Sequence, residues 1–355
     1  MKKLILIFLL STTLFAQDKV DSIVTAIQNK STIEKIKILD DFCWVYRDKD
    51  PKQALRAGNI ALMLAESIDD KHFISKSLNF LSVIYRDQGE YEKSLKLANR
   101  GLDVAQQAND FTEIAYSYNN ISTIYRLMGN YSDAIEKLYE GLKIFESIND
   151  SVGIGYCYYN LGFVYLKQEN YDKALEVFQK TVEIRNKIND HEGKTKALGR
   201  IAEVYLRMGN DKKALEIFDE VENNFKSFSD QRGLNVIRMG LADIYKRKKD
   251  YQKAILEREE ALKLSKDFND ISGIVTNLSE LANLYTITKN YSLAKKYLDE
   301  AKEISDKFNS SELKITTYKN YVFYFETLND LNNAYKYLKL LKQHQDLIYE
   351  KEKRA

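Results

Sequence analysis

The sequence predicts an all-α fold, a superhelical solenoid of repeated helix-turn-helix units. Three observations lead there. First, 355 residues contain one proline against 25 tyrosines. So little proline favours continuous helix, because its ring removes a donor and clashes inside a helix. Second, the sequence repeats itself every forty residues. Tyr85, Tyr125, Tyr165, Tyr205, Tyr245 and Tyr285 fall in one column, which Phe325 ends. Nine residues later stand Ser94, Ala134, Ala174, Ala214, Ala254, Ala294 and Ala334. Third, apolar residues recur three and four apart within each line, as amphipathic helices require.

The chain opens "MKKLILIFLLSTTLFAQDKVDS". Lys2 and Lys3, an apolar run from Leu4 to Leu10 and the step after Ala16 read as a secretory leader over residues 1–16. The run is short for a membrane span, and no second apolar span follows. The mature chain is expected to be exported, to the periplasm or beyond. Residues 17–30 carry Val20, Ile23, Val24 and Ile27 on one helical face and are read as a capping helix.

Eight units follow, at 31–70, 71–110, 111–150, 151–190, 191–230, 231–270, 271–310 and 311–350, with a tail at 351–355. The first fits with a one-residue slip, its aromatic being Tyr46 and its alanine Ala54. Inside each unit a turn such as "RDQGEY", "RLMGNY" or "LRMGND" separates two helices, and "QANDF", "SINDS" or "KINDH" closes it. Gly or Asn suits a left-handed helix C-cap, and the acidic or amide residue caps the next helix. Three residues before the aromatic stands a small residue: Ser82, Ser122, Gly162, Ala202, Ala242, Ala282. A large ring needs small neighbours to nest against, so these columns describe packing. One helix pair cannot bury both its apolar faces, whereas stacked copies can.

The order of apolar, small, Tyr and later Ala resembles the tetratricopeptide repeat over about nine-tenths of the chain. That resemblance implies a right-handed superhelix with a concave peptide-binding wall made by the first helices. Two departures stand out: the period is forty rather than 34, and "ND" turns replace the usual closing proline, as in repeats of the kinesin-light-chain type. HEAT-like repeats share the length but lack the Tyr–Ala columns. The opening "DKVDSIVTAIQ" with "YRDKDPKQALRAGNIAL" is also similar to exported Bacteroidetes sensor regions of this repeat. In those proteins the repeats precede a membrane span and a histidine kinase, cyclase or LuxR-type output, so a signalling role is implied.

Composition excludes several function classes. With 54 basic and 52 acidic residues well mixed, no basic stripe points to nucleic acid. His72, His191 and His344 stand without ligand-spaced partners, so no metal or cofactor is expected. Cys43 and Cys157, almost three periods apart, are expected to be buried and unbridged. No phosphate loop or nucleophile motif occurs, and Cys157 in "GYCYYNLG" is the nearest candidate for a cryptic hydrolase. The chain is therefore read as a non-catalytic binding module, with a passive envelope scaffold as the alternative.

Counting the column aromatic as position 11, the exposed first-helix positions are 2, 5, 6, 9 and 12. They hold Tyr116, Asn119, Asn120, Thr123 and Arg126, then Tyr156, Tyr159, Asn160 and Phe163, then Lys196, Arg200 and Glu203. Asparagine can donate to and accept from a peptide backbone, and tyrosine offers apolar area with a polar tip. Lys196 and Arg200, one turn apart, are expected to hold a carboxylate. Asn160, Lys196 and Arg200 partly resemble the carboxylate clamp of chaperone-binding repeats, with Asn119 and Thr123 standing where that motif has Lys and Asn. On the last helix, Leu338, Leu341 and Leu347 form either a cap or a homodimer seam.

Overall fold

The computed structural model describes residues 19–267, 269–308 and 310–354. The expected leader at 1–16 lies outside them. The described residues form helices and turns, with no strand. After α1 (Lys19–Ala26) come helix pairs: α2 (Thr32–Tyr46) with α3 (Pro51–Ser67), α4 (Lys71–Asp87) with α5 (Tyr91–Ala108), α6 (Phe111–Met128) with α7 (Tyr131–Ser147), and α8 (Ser151–Lys167) with α9 (Tyr171–Lys187). The remaining pairs are α10 (His191–Arg207) with α11 (Asp211–Ser227), α12 (Gln231–Arg247) with α13 (Tyr251–Asp267), α14 (Ile271–Ile287) with α15 (Tyr291–Lys307), and α16 (Ser311–Thr327) with α17 (Leu331–Arg354). The fold class is the expected one, all-α and built from helix pairs. No helix among the described residues is long and apolar enough to cross a membrane.

The turns explain why the helices stop and start where they do. At the N-termini, Asp70, Asp150, Asp190 and Asp230 accept the backbone N–H three residues on, as do Asn170, Asn210 and Asn290. At the C-termini a left-handed residue closes the helix: Asn109, Asn149, Asn189 and Asn269 between units, and Gly89, Gly129 and Gly209 within them. Glu169, Lys249 and Lys289 adopt the same positive φ without the freedom of Gly or Asn, at a cost of about 1 kcal/mol each. Packing of the two flanking helices imposes that geometry whatever residue occupies the turn.

The alanine column is buried throughout, from Ala54 to Ala334. Where it holds Ser94, that hydroxyl donates to the Ser82 carbonyl at 2.7 Å, joining the two small columns. The aromatic column departs from a simple buried ring. Only Tyr165 is buried; Tyr85, Tyr125, Tyr205, Tyr245 and Tyr285 are half-buried. A lysine eight residues on covers four of these rings, Lys93 on Tyr85 at 3.7 Å, Lys173 on Tyr165, Lys213 on Tyr205 and Lys253 on Tyr245. The phenol needs a polar partner at its tip, and the lysine stem shields the ring while keeping its charge in water.

The chain divides into two compact units. The first runs to Met128 and takes in Tyr139–Ile148; the second holds Gly129–Leu138 and everything from Asn149 on. In the first, α1 buries Val20, Ile23 and Ile27 in a core with Ile36, Leu39, Phe42 and Leu78. Asp21 of α1 pairs with Arg56 at 2.5 Å. In the second, separate clusters form around Phe218 and Phe225, around Leu278 and Leu281, and around Tyr321. Such a series of neighbour-to-neighbour cores is what a repeat array produces.

Candidate functional site

The second unit assembles three of the expected residues, Tyr159, Phe163 and Arg200, in one group over a buried ring. Phe178, on α9, is fully buried. Tyr159 and Phe163 of α8 stand edge-on to it, with centroids at 5.8 and 5.9 Å, and edge-on to each other at 5.0 Å. Gly162 makes room for this group: a Cβ there would lie 2.4 Å from a Phe178 ring carbon. From α10, the Arg200 guanidinium lies 4.7 Å from the Phe163 centroid, and its Nε donates to the Tyr159 hydroxyl at 3.4 Å. Half-buried Asn160 sits beside Tyr159 in the sequence.

The two cations differ from the expectation of an open carboxylate clamp. Arg200 Nη1 donates to Glu203 at 2.9 Å. Lys196 Nζ donates to Glu192 at 2.6 Å and lies 3.5 Å from Asp230. Burial opposes the Lys196 charge, but Glu192 and Asp230 outweigh it and hold its pKa above the ordinary lysine value. Both cations are thus already neutralised by the protein, and an incoming carboxylate has to exchange with Glu203 or Glu192. Side chains on the same helix, three and four residues away, were the cheaper partners.

Tyr156 is 42% exposed. Its ring carries the Arg185 guanidinium at 4.4 Å. Arg185 itself is buried, bonded to Asp190 at 3.0 Å and to the Val152 carbonyl. In the first unit, Tyr116 packs edge-on against buried Phe145 at 5.0 Å. The Asn119 carbonyl accepts from the Ser122 and Thr123 hydroxyls at 2.7 and 3.0 Å. Asn119, Asn120 and Arg126 are half-buried.

One contact recurs between neighbouring units. Position 9 of a first helix meets position 6 of the next: Phe163 with Arg200, Asn283 with Asn320 at 3.2 Å, and Trp44 with Phe80 at 5.0 Å. Lys246, at position 12, donates to Glu280 at position 6 at 2.8 Å. Burial raises the Glu280 carboxyl, yet Lys246, Arg258 and Lys319 together bring it below the ordinary value. Sequence reading missed Trp44, Phe80, Lys246, Glu280, Asn283 and Asn320. Carrying the exposed positions through all eight lines, with the slip in the first, would have found them. A pocket of about 310 Å³ between α10 and α11, lined by His191, Lys194, Thr195, Glu220, Asn224 and Phe228 among others, involves none of the expected residues.

Cys43 and Cys157 are both buried and unbridged. Burial pushes the Cys43 thiol up to about 12, which leaves it a poor nucleophile. Among the described residues no group of three or more His, Cys, Asp or Glu is placed to hold a metal ion.

Two family models, both described as tetratricopeptide repeat, match the chain, one over residues 73–147 and 156–227, the other over 237–268 and 276–308. No curated protein sequence matches. Among solved structures, the chain is similar to a signal transduction ATPase with numerous domains (STAND) from Pyrococcus horikoshii that has a tetratricopeptide-repeat sensor. It shares 21% identity and a TM-score of 0.60, covering 97% of this chain and 52% of that one. The present chain therefore spans about half of that protein's length. It is also similar to a Rap protein complexed with Competence and Sporulation Factor, at 16% identity and TM-score 0.66, covering 81% and 79%. NprR in complex with its cognate peptide NprX aligns at 14% identity and TM-score 0.62, covering 88% and 89%. These identities establish likeness of fold. With both repeat models together matching more than half of its length, the chain belongs to the tetratricopeptide-repeat family.

Proposed function

We propose that the protein is a non-catalytic module that binds an extended peptide segment along its first helices, acting as an exported sensor or adaptor. The observation carrying this reading is the Tyr159–Phe163–Arg200 group, rings and a guanidinium preorganised over Phe178 on adjacent units. Rigid aromatic area beside hydrogen-bonding side chains suits a peptide, because little rotamer entropy is lost on binding. Two fold neighbours, the Rap protein and NprR, are seen with Competence and Sporulation Factor and with the cognate peptide NprX, which is consistent with this use of the fold. The test is panning of a random dodecapeptide library on the intact chain. Enrichment is expected with wild type and is expected to disappear with the triple variant Tyr159→Ala, Asn160→Ala, Arg200→Glu at unchanged helicity. Equal enrichment on both proteins, or none on either, would sink the reading.

Export rests on the leader read at residues 1–16. N-terminal sequencing of protein produced from the full reading frame in a bacterial host is expected to begin at Gln17, in the periplasmic fraction. Intact Met1 in the cytosol overturns it. Self-association is a second property of this reading. Leu331, Tyr335 and Leu338 lie along one side of α17 and are 66%, 70% and 48% exposed, while Leu341 packs into the core. A dimer that loses a subunit on Leu331→Glu with Leu338→Glu is the expected sedimentation result; a wild-type monomer at 50 μM (about that concentration, where a dimer held by ~8 kcal/mol forms) rejects it.

A further inference from the structure

The repeat at 191–230 departs from two apolar columns that the other inner repeats keep. Eleven residues before the column tyrosine stand Ile74, Ile114, Ile154, Leu234 and Ile274, but here Lys194. Nineteen residues after it stand Val104, Ile144, Ile184, Leu264 and Ile304, but here Asn224. Where the pair is apolar it helps close first helix on second: Ile74 and Val104 share one core, Ile274 and Ile304 another. Where it is Lys194 and Asn224, the pocket of about 310 Å³ opens between α10 and α11. The last repeat also breaks these columns, with Lys314 and His344. There His344 meets Ser311 at 3.1 Å and the Tyr318 ring at 5.8 Å.

The pocket presents charge of both signs on facing helices. Half-buried Lys194 and Leu198 and buried Thr195 come from α10; exposed Glu220 and Asn224 come from α11, and exposed Phe228 follows it. Lys194 donates to the Asn186 side chain at 3.3 Å. Asp190, one turn before Lys194, already holds Arg185 at 3.0 Å and caps the Gly193 N–H. Glu192 likewise holds Lys196. Glu220 has no cation one turn away on α11, where Glu216, Ile217, Asn223 and Asn224 stand. Among the described residues neither Lys194 nor Glu220 makes an ion pair, with the other or elsewhere.

We infer that this pocket binds a free α-amino acid with an apolar side chain, its carboxylate on Lys194 and its ammonium on Glu220. Asn224 and the Thr195 hydroxyl, which donates to the His191 carbonyl, supply hydrogen-bonding groups between the two charges. Leu198 and Phe228 supply apolar surface for the side chain. The charges select this occupant. A phosphate meets repulsion from Glu220, a bare cation meets Lys194 and His191, and an uncharged sugar leaves both charges unanswered. A zwitterion answers both at once. The volume lies at the lower end of the ~300–1,000 Å³ usual for small-molecule pockets, which suits a single amino acid rather than a peptide. None of these residues belongs to the proposed peptide site, so the inference stands independently of that reading.

The probe is L-leucine, titrated by calorimetry into the intact protein. Its comparisons are N-acetyl-L-leucine, which lacks the ammonium, and L-leucinamide, which lacks the carboxylate. Saturable binding is expected for leucine, about tenfold or more tighter than for either blocked form. Lys194→Ile with Asn224→Ile, which restores the apolar columns, is expected to abolish binding and to raise the melting temperature. Lys194→Gln, a milder change, is expected to lose the preference for leucine over leucinamide. Glu220→Gln is expected to lose the preference over N-acetyl-leucine, both single variants keeping wild-type helicity. No saturable binding of leucine, equal affinity for the three compounds, binding that survives the double variant, or a preference unchanged in either single variant would each overturn the inference.

Discussion

Gly162→Val is expected to destabilise the second unit by about 3 kcal/mol and to abolish ligand capture at Tyr159 and Phe163. A Cβ at this position would approach three Phe178 ring carbons at 2.4, 2.5 and 2.7 Å. Real side chains do not tolerate such distances. Phe178 cannot move aside, because it is fully buried and held edge-on by Tyr159 and Phe163. A better helix former at a mid-helix glycine gains under about 1 kcal/mol, so overpacking wins. Urea unfolding followed by circular dichroism measures the loss. Phe178→Leu in the Gly162→Val background is expected to recover part of it, since a smaller side chain vacates the overlap. If Gly162→Val unfolds at the wild-type midpoint, the ring does not lie where the structure puts it.

Asp40→Asn is expected to stabilise the first unit at neutral pH by up to about 4 kcal/mol. Burial, the largest influence, pushes the Asp40 carboxyl up to about 7, and the Ser77 hydrogen bond and Lys76 only partly oppose this. Below about pH 4, folded and unfolded chains both hold this proton, and Asp40 costs nothing. Between that pH and about 7 the unfolded chain ionises first, so stability falls as pH rises. Above about 7 the full penalty of a buried carboxylate applies. Burial likewise raises Glu113, against the Asn79 hydrogen bond, and adds a slope of the same sign. Melting of the first unit between pH 5 and 8 is therefore expected to drop in wild type and to drop less in Asp40→Asn. Identical pH profiles for the two proteins would show that Asp40 is ionised without cost.

The helices, their caps and the columns were legible because they depend on neighbours close in sequence. Asp or Asn before most helices, Gly or Asn after many of them and apolar residues three and four apart are local features of the forty-residue lines. The candidate site was legible only as a list of exposed positions. Tyr159, Phe163 and Arg200 do converge, but Lys196 and Arg200 proved to be engaged by Glu192, Asp230 and Glu203. Trp44 and Phe80 escaped notice because the first line slips by one residue, which hides their common register.

Residue order by itself determined that this protein is a series of helix pairs, since a repeated pattern of large and small apolar residues has few ways to be buried. Only the tertiary structure decided which polar side chains meet. Whether position 9 touches position 6 of the next unit depends on the offset between two first helices, set by how Phe178 and its counterparts fill the space between them. The burial of Asp40 is likewise a product of packing, because an isolated helix would have left that carboxylate in water.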